Sequence, residues 1–358
     1  MGRYSPHVVP KGTPISHALK IPLRKKNCKV TEESSLPERQ RWKLEVTSSE
    51  RLISELKLAV PWGHIAAKAW GSHQAAPVLC LHGWLDNANS FDRLIPLLPK
   101  DFHYVAMDFG GHGLSSHYSQ GFPYYHQNFV SEVRRVAAAL KWNRFSLLGH
   151  SFGGTVGGMF SCIFPEMVDK LILLEAIPVV LDTNEMDNLL TYKRRAIEHV
   201  LQVEASRKPA QVVSPEEMLQ WFLKNNSHVG EACGKHLLQR GTTQVATGVS
   251  LNRDRRIILP EYCLDIVSRE LLVQYIKNLQ ARILLVKATE GYYAVRREND
   301  ANRESIMFVT SSLKSVLKER FQYVEVPGNH YVHMNQPQLV ADVISSFLQS
   351  KEKSPAPL

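Results

Sequence analysis

Six short apolar runs set the limits on how this 358-residue chain can fold. They are Val78–Leu81, Tyr104–Asp108, Phe145–Gly149, Leu171–Glu175, Ile283–Val286 and Tyr323–Val326. The first is continuous rather than alternating, which suits a strand buried on both faces of a parallel sheet, and the others repeat the theme. Helical patterns separate most of them, at Phe91–Leu98, Val130–Leu140, Phe152–Phe164, Arg303–Lys318 and Leu339–Gln349. Ahead of the runs, Glu55–Val60 alternates, Pro61-Trp62-Gly63 turns and His64–Trp70 returns, a strand pair. Strand–helix alternation of this kind predicts an α/β fold with a doubly wound, mostly parallel sheet and helices on both faces. Residues 178–278 break the rhythm. They lack a clear sheet strand and carry helical patterns at Leu189–Val203, Pro215–Leu223 and Ser268–Leu279, so a helical cap over the carboxyl ends of the strands is expected. The expected layout is a basic extension over 1–45, a core from 46–177 and 279–350, the cap over 178–278 and a tail over 351–358.

Charge distribution argues against a nucleic-acid partner. The net charge is +9, yet residues 1–45 hold ten Lys/Arg against four Asp/Glu, so the body of the chain is near neutral. Residues 1–31 lack acids, as a mitochondrial presequence does, but Pro6, Pro10, Pro14 and Pro22 would interrupt the amphipathic helix such a leader needs. A disordered tail fits better. Met1-Gly2 has Pro6 where myristoylation wants Ser or Thr. No apolar stretch is long enough to span a membrane. The five cysteines (28, 80, 162, 233 and 263) are odd in number and show no C-x-x-C spacing, which suits unpaired thiols in a reducing, intracellular setting. Ala356-Pro357-Leu358 has the outline of a peroxisomal signal with Pro at the basic position. No metal-ligand spacing is present and no cofactor is expected. The oligomeric state stays open.

Chemistry concentrates in Gly149-His150-Ser151-Phe152-Gly153, a G-x-S-x-G pattern between an apolar run and a helical one. At such a strand-to-helix turn the serine hydroxyl is held out of the sheet above a helix N-terminus, and small residues let neighbouring backbone pass. A nucleophilic serine needs a base, a carboxylate and an oxyanion hole. The base is placed at His330, after the last predicted strand and just past Gly328; His333 is the nearby alternative. The oxyanion donors are assigned to the N–H groups of Phe152, which follows the serine, and Trp84, in the turn His82-Gly83-Trp84-Leu85-Asp86-Asn87. His82 is taken as a structural ligand of loop backbone, and Asp108–Ser115 as a scaffold loop lacking the spacing and lysine of a phosphate-binding motif.

Two carboxylates compete for the third position. Glu175 closes the strand after the nucleophile helix, and Glu290 follows Ile283–Val286. Either could reach the imidazole. Glu175 is preferred, because the earlier strand calls for the longer reach of Glu and its flanks are apolar.

From about Glu55 to Leu348 the chain resembles α/β-hydrolase fold enzymes, and within them the serine hydrolase-like proteins. The residues that carry the likeness are His82–Asn87 with Ser90–Leu94, Asp108–Ser116, Gly149–Gly154, and Gly328-Asn329-His330 with Pro337. The resemblance implies an eight-stranded sheet with a cap, and some members of that branch are associated with perinuclear vesicles or peroxisomes. Leu174-Glu175-Ala176-Ile177-Pro178 also looks like the acid segment of haloalkane dehalogenases and related luciferases. Those enzymes use an Asp nucleophile where this chain has Ser151, which disfavours dehalogenation and epoxide hydrolysis. Residues 1–45 match nothing in the family.

The expected activity is that of a carboxylic-ester hydrolase, working through an acyl-enzyme on a Ser-His-Glu triad. Its substrate is expected to be a small, mainly apolar ester selected by the cap. Two other classes compete: a binding protein that keeps the fold without catalysis, favoured if neither glutamate reaches His330, and a lyase on the same triad, which would need a Lys or Thr from the cap.

Overall fold

The computed structural model describes residues 53–181, 186–206, 209–257, 263, 265–291 and 300–350; the expectations for 1–45, Cys28 and 351–358 lie outside them. The apolar runs become β3 (Ala76–Leu81), β4 (Phe102–Met107), β5 (Phe145–His150), β6 (Val168–Leu174), β7 (Arg282–Glu290) and β8 (Phe321–Asn329), preceded by β1 (Ser54–Val60) and β2 (Gly63–Trp70). They form one eight-stranded sheet in the order β1-β2-β4-β3-β5-β6-β7-β8. The β1–β2 and β2–β4 pairs are antiparallel and the other five are parallel.

Burial on both sides follows the strand period of two. Leu79, Leu81, Leu147, Leu171 and Leu173 join one core cluster, while Val78, Cys80, Leu148, Ile172 and Leu174 join the other. The first layer is filled by α1 (His126–Ala139), α2 (Phe152–Ile163), α6 (Arg269–Asn278) and α7 (Asp300–Leu317), through residues such as Phe129, Val156, Leu272 and Val309. The second is closed by α8 (Gln338–Gln349) through Val340, Ile344 and Phe347, with Phe91 and Leu94. The helix expected over Phe91–Leu98 is instead two short 3-10 turns, Ala88–Phe91 and Ile95–Leu97. Pro96 cannot donate within a helix and disfavours helical backbone before it.

Among the described residues between β6 and α6, none joins the main sheet. This stretch holds α3 (Met186–Ala205), α4 (Pro215–Asn225) and α5 (Glu231–Gly241). It also holds an antiparallel hairpin, Thr242–Val245 with Gly248–Leu251, and Val180–Leu181 pairs in parallel with Ile266–Val267. Helix α4 starts where its residues dictate: Ser214 and Glu217 form a capping box ahead of Pro215. Helix α5 has no side-chain cap, and Gly234 interrupts its pattern, which is why it escapes notice in the sequence; it is held by buried Cys233, Leu237 and Arg240.

Helix α5 is fastened to the loops at the strand ends. Buried Arg240 reaches both oxygens of Asp108 through Nε, at 3.0 and 2.8 Å, and Glu55 through Nη1 at 2.7 Å. Asp108 also accepts from the backbone of Ala88 and Leu114, so the Asp108–Ser115 loop is braced as scaffold. The Asn87 and Asn89 side-chain amides donate to the Leu237 and His236 carbonyls, each at 2.9 Å.

Candidate active site

Strand β5 runs into α2 through Ser151, whose φ of 49° lies in the left-handed region that a residue with Cβ rarely adopts. Only small neighbours allow the turn. A Cβ on Gly149 would stand 2.5 Å from the Gly154 Cα, and one on Gly153 would stand 2.2 Å from the Leu81 carbonyl oxygen. The Ser151 N–H is held by the Leu174 carbonyl at 3.0 Å. Phe152 is the first residue of α2, a position where a helix offers its own N–H no acceptor and carries the positive end of its dipole.

Three loops converge on this turn. His330, at the end of β8, places Nε2 3.0 Å from Ser151 Oγ and Nδ1 3.2 Å from Glu175 Oε2. Glu175 is 2% exposed and has a φ of 49°, which turns its carboxylate out of the β6 line towards His330. Its Oε1 accepts from the Ala288 N–H, and its own N–H donates to the Val286 carbonyl at 2.9 Å. An ionised carboxylate only accepts, so Nδ1 of His330 carries the proton and the Nε2 lone pair faces the serine. Glu290 is exposed beyond a register shift between Ala288 and Glu290, and it takes no part in this chain of bonds.

Other residues singled out in the sequence lie around it. His333 is buried with Nε2 2.9 Å from Ser90 Oγ, a partner other than the serine of the turn, and burial pushes it down to about 3. His82 bridges the Gly83 carbonyl at 2.7 Å and the Phe109 N–H at 3.1 Å, and burial lowers it to about 4, so it is a neutral loop ligand. Trp84 sits in a turn closed by the Asp86 N–H on the Gly83 carbonyl at 3.1 Å, with its ring 4.8 Å from that of Phe152. The next residue, Leu85, also has a positive φ, 66°. Cys80 and Cys162 are buried free thiols; burial pushes the first up and the second up to about 12, so neither offers a thiolate.

Sequence reasoning overlooked the support behind His330. His150, the variable residue inside the serine motif, donates from Nε2 to the His330 carbonyl at 2.9 Å. Burial, then His333 and His330, hold His150 well below the usual imidazole range. Tyr331 donates to Asp86 Oδ1 at 3.2 Å, and burial raises Asp86 to about 7. Asn329 ties the same loop to the His228 carbonyl and the Tyr331 N–H, both at 3.0 Å. The only hint available was the density of His and Asn residues in and around the two loops.

Comparison with known proteins places this geometry in context. Residues 76–206 match the family model described as alpha/beta hydrolase fold. The chain is 68% identical over 307 residues to "Serine hydrolase-like protein 2" of Homo sapiens, covering 86% of this chain and 98% of that one. It is also 68% identical over 303 residues to "Serine hydrolase-like protein" of Mus musculus, covering 84% and 97%. Among solved structures, the thioesterase domain from the curacin biosynthetic pathway superposes with a TM-score of 0.67 at 22% identity, over 84% of this chain and all of that domain, which bears on the fold.

Proposed function

From the premise that the chain belongs to the serine hydrolase-like proteins of the α/β-hydrolase fold, we propose that it cleaves a carboxylic ester through an acyl-enzyme on Ser151. The observation that carries this is the pair of contacts at 3.0 and 3.2 Å joining Ser151, His330 and Glu175. His330 Nε2 takes the Ser151 proton as Oγ attacks the carbonyl carbon, then returns it to the leaving alcohol. Glu175 keeps the proton on Nδ1 and stabilises the imidazolium. The N–H groups of Phe152 and Trp84 receive the developing oxyanion, and each such donor is worth about 10²–10³ in rate. Water then attacks the acyl-enzyme by the same route in reverse.

The competing role, a fold kept without catalysis, required both glutamates to be out of reach of His330; the 3.2 Å contact speaks against it. The segment carrying α3 to α5 is assigned the part of a cap that selects a small-molecule ester, and no nucleic acid is involved. No described helix is long and apolar enough to cross a membrane.

Labelling with a fluorophosphonate probe tests the mechanism. Wild-type protein is expected to label, and Ser151→Ala is not. Equal labelling of the two would overturn the assignment.

A further inference from the structure

Helices α4 and α5, the turn after β3 and the turn around His112 line a cavity of about 240 Å³. Leu85, Trp221, Phe222 and Leu237 give it an apolar wall. It lies one aromatic layer from the start of α2: the Trp84 ring is 4.8 Å from Phe152 on one side and 5.7 Å from His112 on the other.

Among the described residues, Arg253 and His112 in that wall have nitrogens without a protein hydrogen-bond partner, as does the Oδ2 oxygen of Asp86. The first is Arg253, which also lines a larger hollow of about 680 Å³. Its guanidinium makes no hydrogen bond or ion pair with any described residue, and burial pushes its pKa down. Arg253 is partly buried, and two other arginines of this region behave differently. Arg240 holds Asp108 and Glu55, and Arg256 holds Asp254, the residue next to Arg253. The nearest carboxylate in sequence is therefore already engaged, by Arg256 and by Tyr124 Oη at 2.9 Å. A partly desolvated guanidinium gains from an anion brought beside it. The second group is His112, 1% exposed. Its Nδ1 donates to the Gly110 carbonyl at 3.1 Å, leaving the Nε2 lone pair buried and without a partner. Burial above all, then His82, holds His112 well below the usual imidazole range, so the neutral imidazole offers an acceptor in the same cavity wall as Arg253.

We propose that this cavity binds a carboxylate carried by the substrate, with Arg253 as its binding residue, so that the ester opened at Ser151 bears an anionic arm. A carboxylate suits the site better than a phosphate dianion. One guanidinium offsets one negative charge, and Asp86 lines the same cavity. The apolar wall takes the alkyl part of the arm, and His112 Nε2 accepts from an O–H or N–H on it. The inference rests on the esterase role given to Ser151 and adds the charge of the substrate.

The test uses the full chain and two series of p-nitrophenyl esters matched in length: half-esters of succinic, glutaric, adipic and suberic acid, and the corresponding uncharged alkanoates. Wild-type protein is expected to prefer one length of half-ester over its neutral match. In Arg253→Met or the near-isosteric Arg253→Gln, the ratio of kcat/KM for charged over neutral ester should fall about tenfold to a hundredfold. Arg253→Lys should keep part of the preference, since it retains the charge without the planar fork. A ratio within twofold of wild type in Met and Gln variants would overturn the proposal. So would competitive inhibition by inorganic phosphate stronger than by the free dicarboxylate. If no ester of either series turns over, the esterase role fails separately. Binding of monomethyl adipate to Ser151→Ala protein, followed by tryptophan fluorescence, then decides the anion site alone: binding abolished by a second change, Arg253→Gln, supports it, and binding retained overturns it.

Discussion

Replacing Glu175 by Gln isolates the contribution of one proton. The two side chains have the same shape, so the acceptor oxygen facing the Ala288 N–H is kept. At the other terminus an oxygen 3.2 Å from His330 Nδ1 becomes an NH₂ group. Two N–H groups cannot face each other at that distance, so the imidazole shifts its proton to Nε2. That nitrogen stands 3.0 Å from Ser151 Oγ and no longer has a lone pair to receive the serine proton. The loss should be about 10³–10⁴ in kcat, the scale seen when a triad imidazole is held in the wrong tautomer. KM should change little, because Glu175 is buried behind the histidine rather than open to a ligand. Glu290→Gln is the paired control: exposed and outside the chain of bonds, it should stay within about twofold of wild type. Steady-state hydrolysis of an activated aryl ester, with fluorophosphonate labelling rates as a second readout, measures both. A loss confined to Glu290→Gln, or equal losses in both variants, would refute the assignment of the acid.

Other consequences concern stability. Arg240→Met leaves the fully buried Asp108 carboxylate without its ion-pair partner, at a cost of about 3–5 kcal/mol; urea unfolding should show it, and a cost below about 1 kcal/mol would contradict the brace. Adding Asp108→Asn should recover part of that loss, since the two residues act as one unit. Acid should also destabilise the fold between about pH 6.5 and 4. His82 and His333 are lowered to about 4 and about 3, so the unfolded chain binds protons there that the folded one does not. Asp86 and Glu132, each raised to about 7, act in the opposite sense: the stability they contribute while protonated is lost as pH rises through about 7. His112 and His150 are also lowered, so imidazoles outnumber carboxyls and the melting temperature should fall from pH 6.5 to 5. A flat profile would contradict the neutral buried imidazoles.

The sheet was legible because burial on two faces demands continuous apolar runs, and β3 to β7 each carry one; the edge strand β8 is mostly half-buried or exposed, and Glu325 interrupts its run. Ser151 and His330 were legible because both stand at strand ends, the serine between Gly149 and Gly153 and the histidine just past Gly328. Between Glu175 and Glu290 the residues gave only a preference, since each lies after an apolar run. What separates them is three-dimensional: a left-handed backbone turn at Glu175 and a register shift before Glu290. Arg253 was invisible for a related reason. Whether a guanidinium has a partner depends on contacts across the fold, and the sequence offers Asp254 beside it as an apparent partner that Arg256 in fact takes. His150 lay inside the motif that drew attention to Ser151, yet its bond to the His330 carbonyl spans 180 residues.

The asparagines that grip α5 give the molecule a mechanical linkage. Asn87 and Asn89 follow Trp84 by three and five residues, in the loop expected to supply the second oxyanion donor. Their amides are clamped to carbonyls of the helix that walls the Arg253 cavity. Any swing of α5 that admits a substrate therefore pulls on that loop, and the donor regains its aim only when the helix settles back. An ester bulky enough to displace α5 is therefore expected to turn over more slowly than a small one, because the loop carrying Trp84 is tied to that helix.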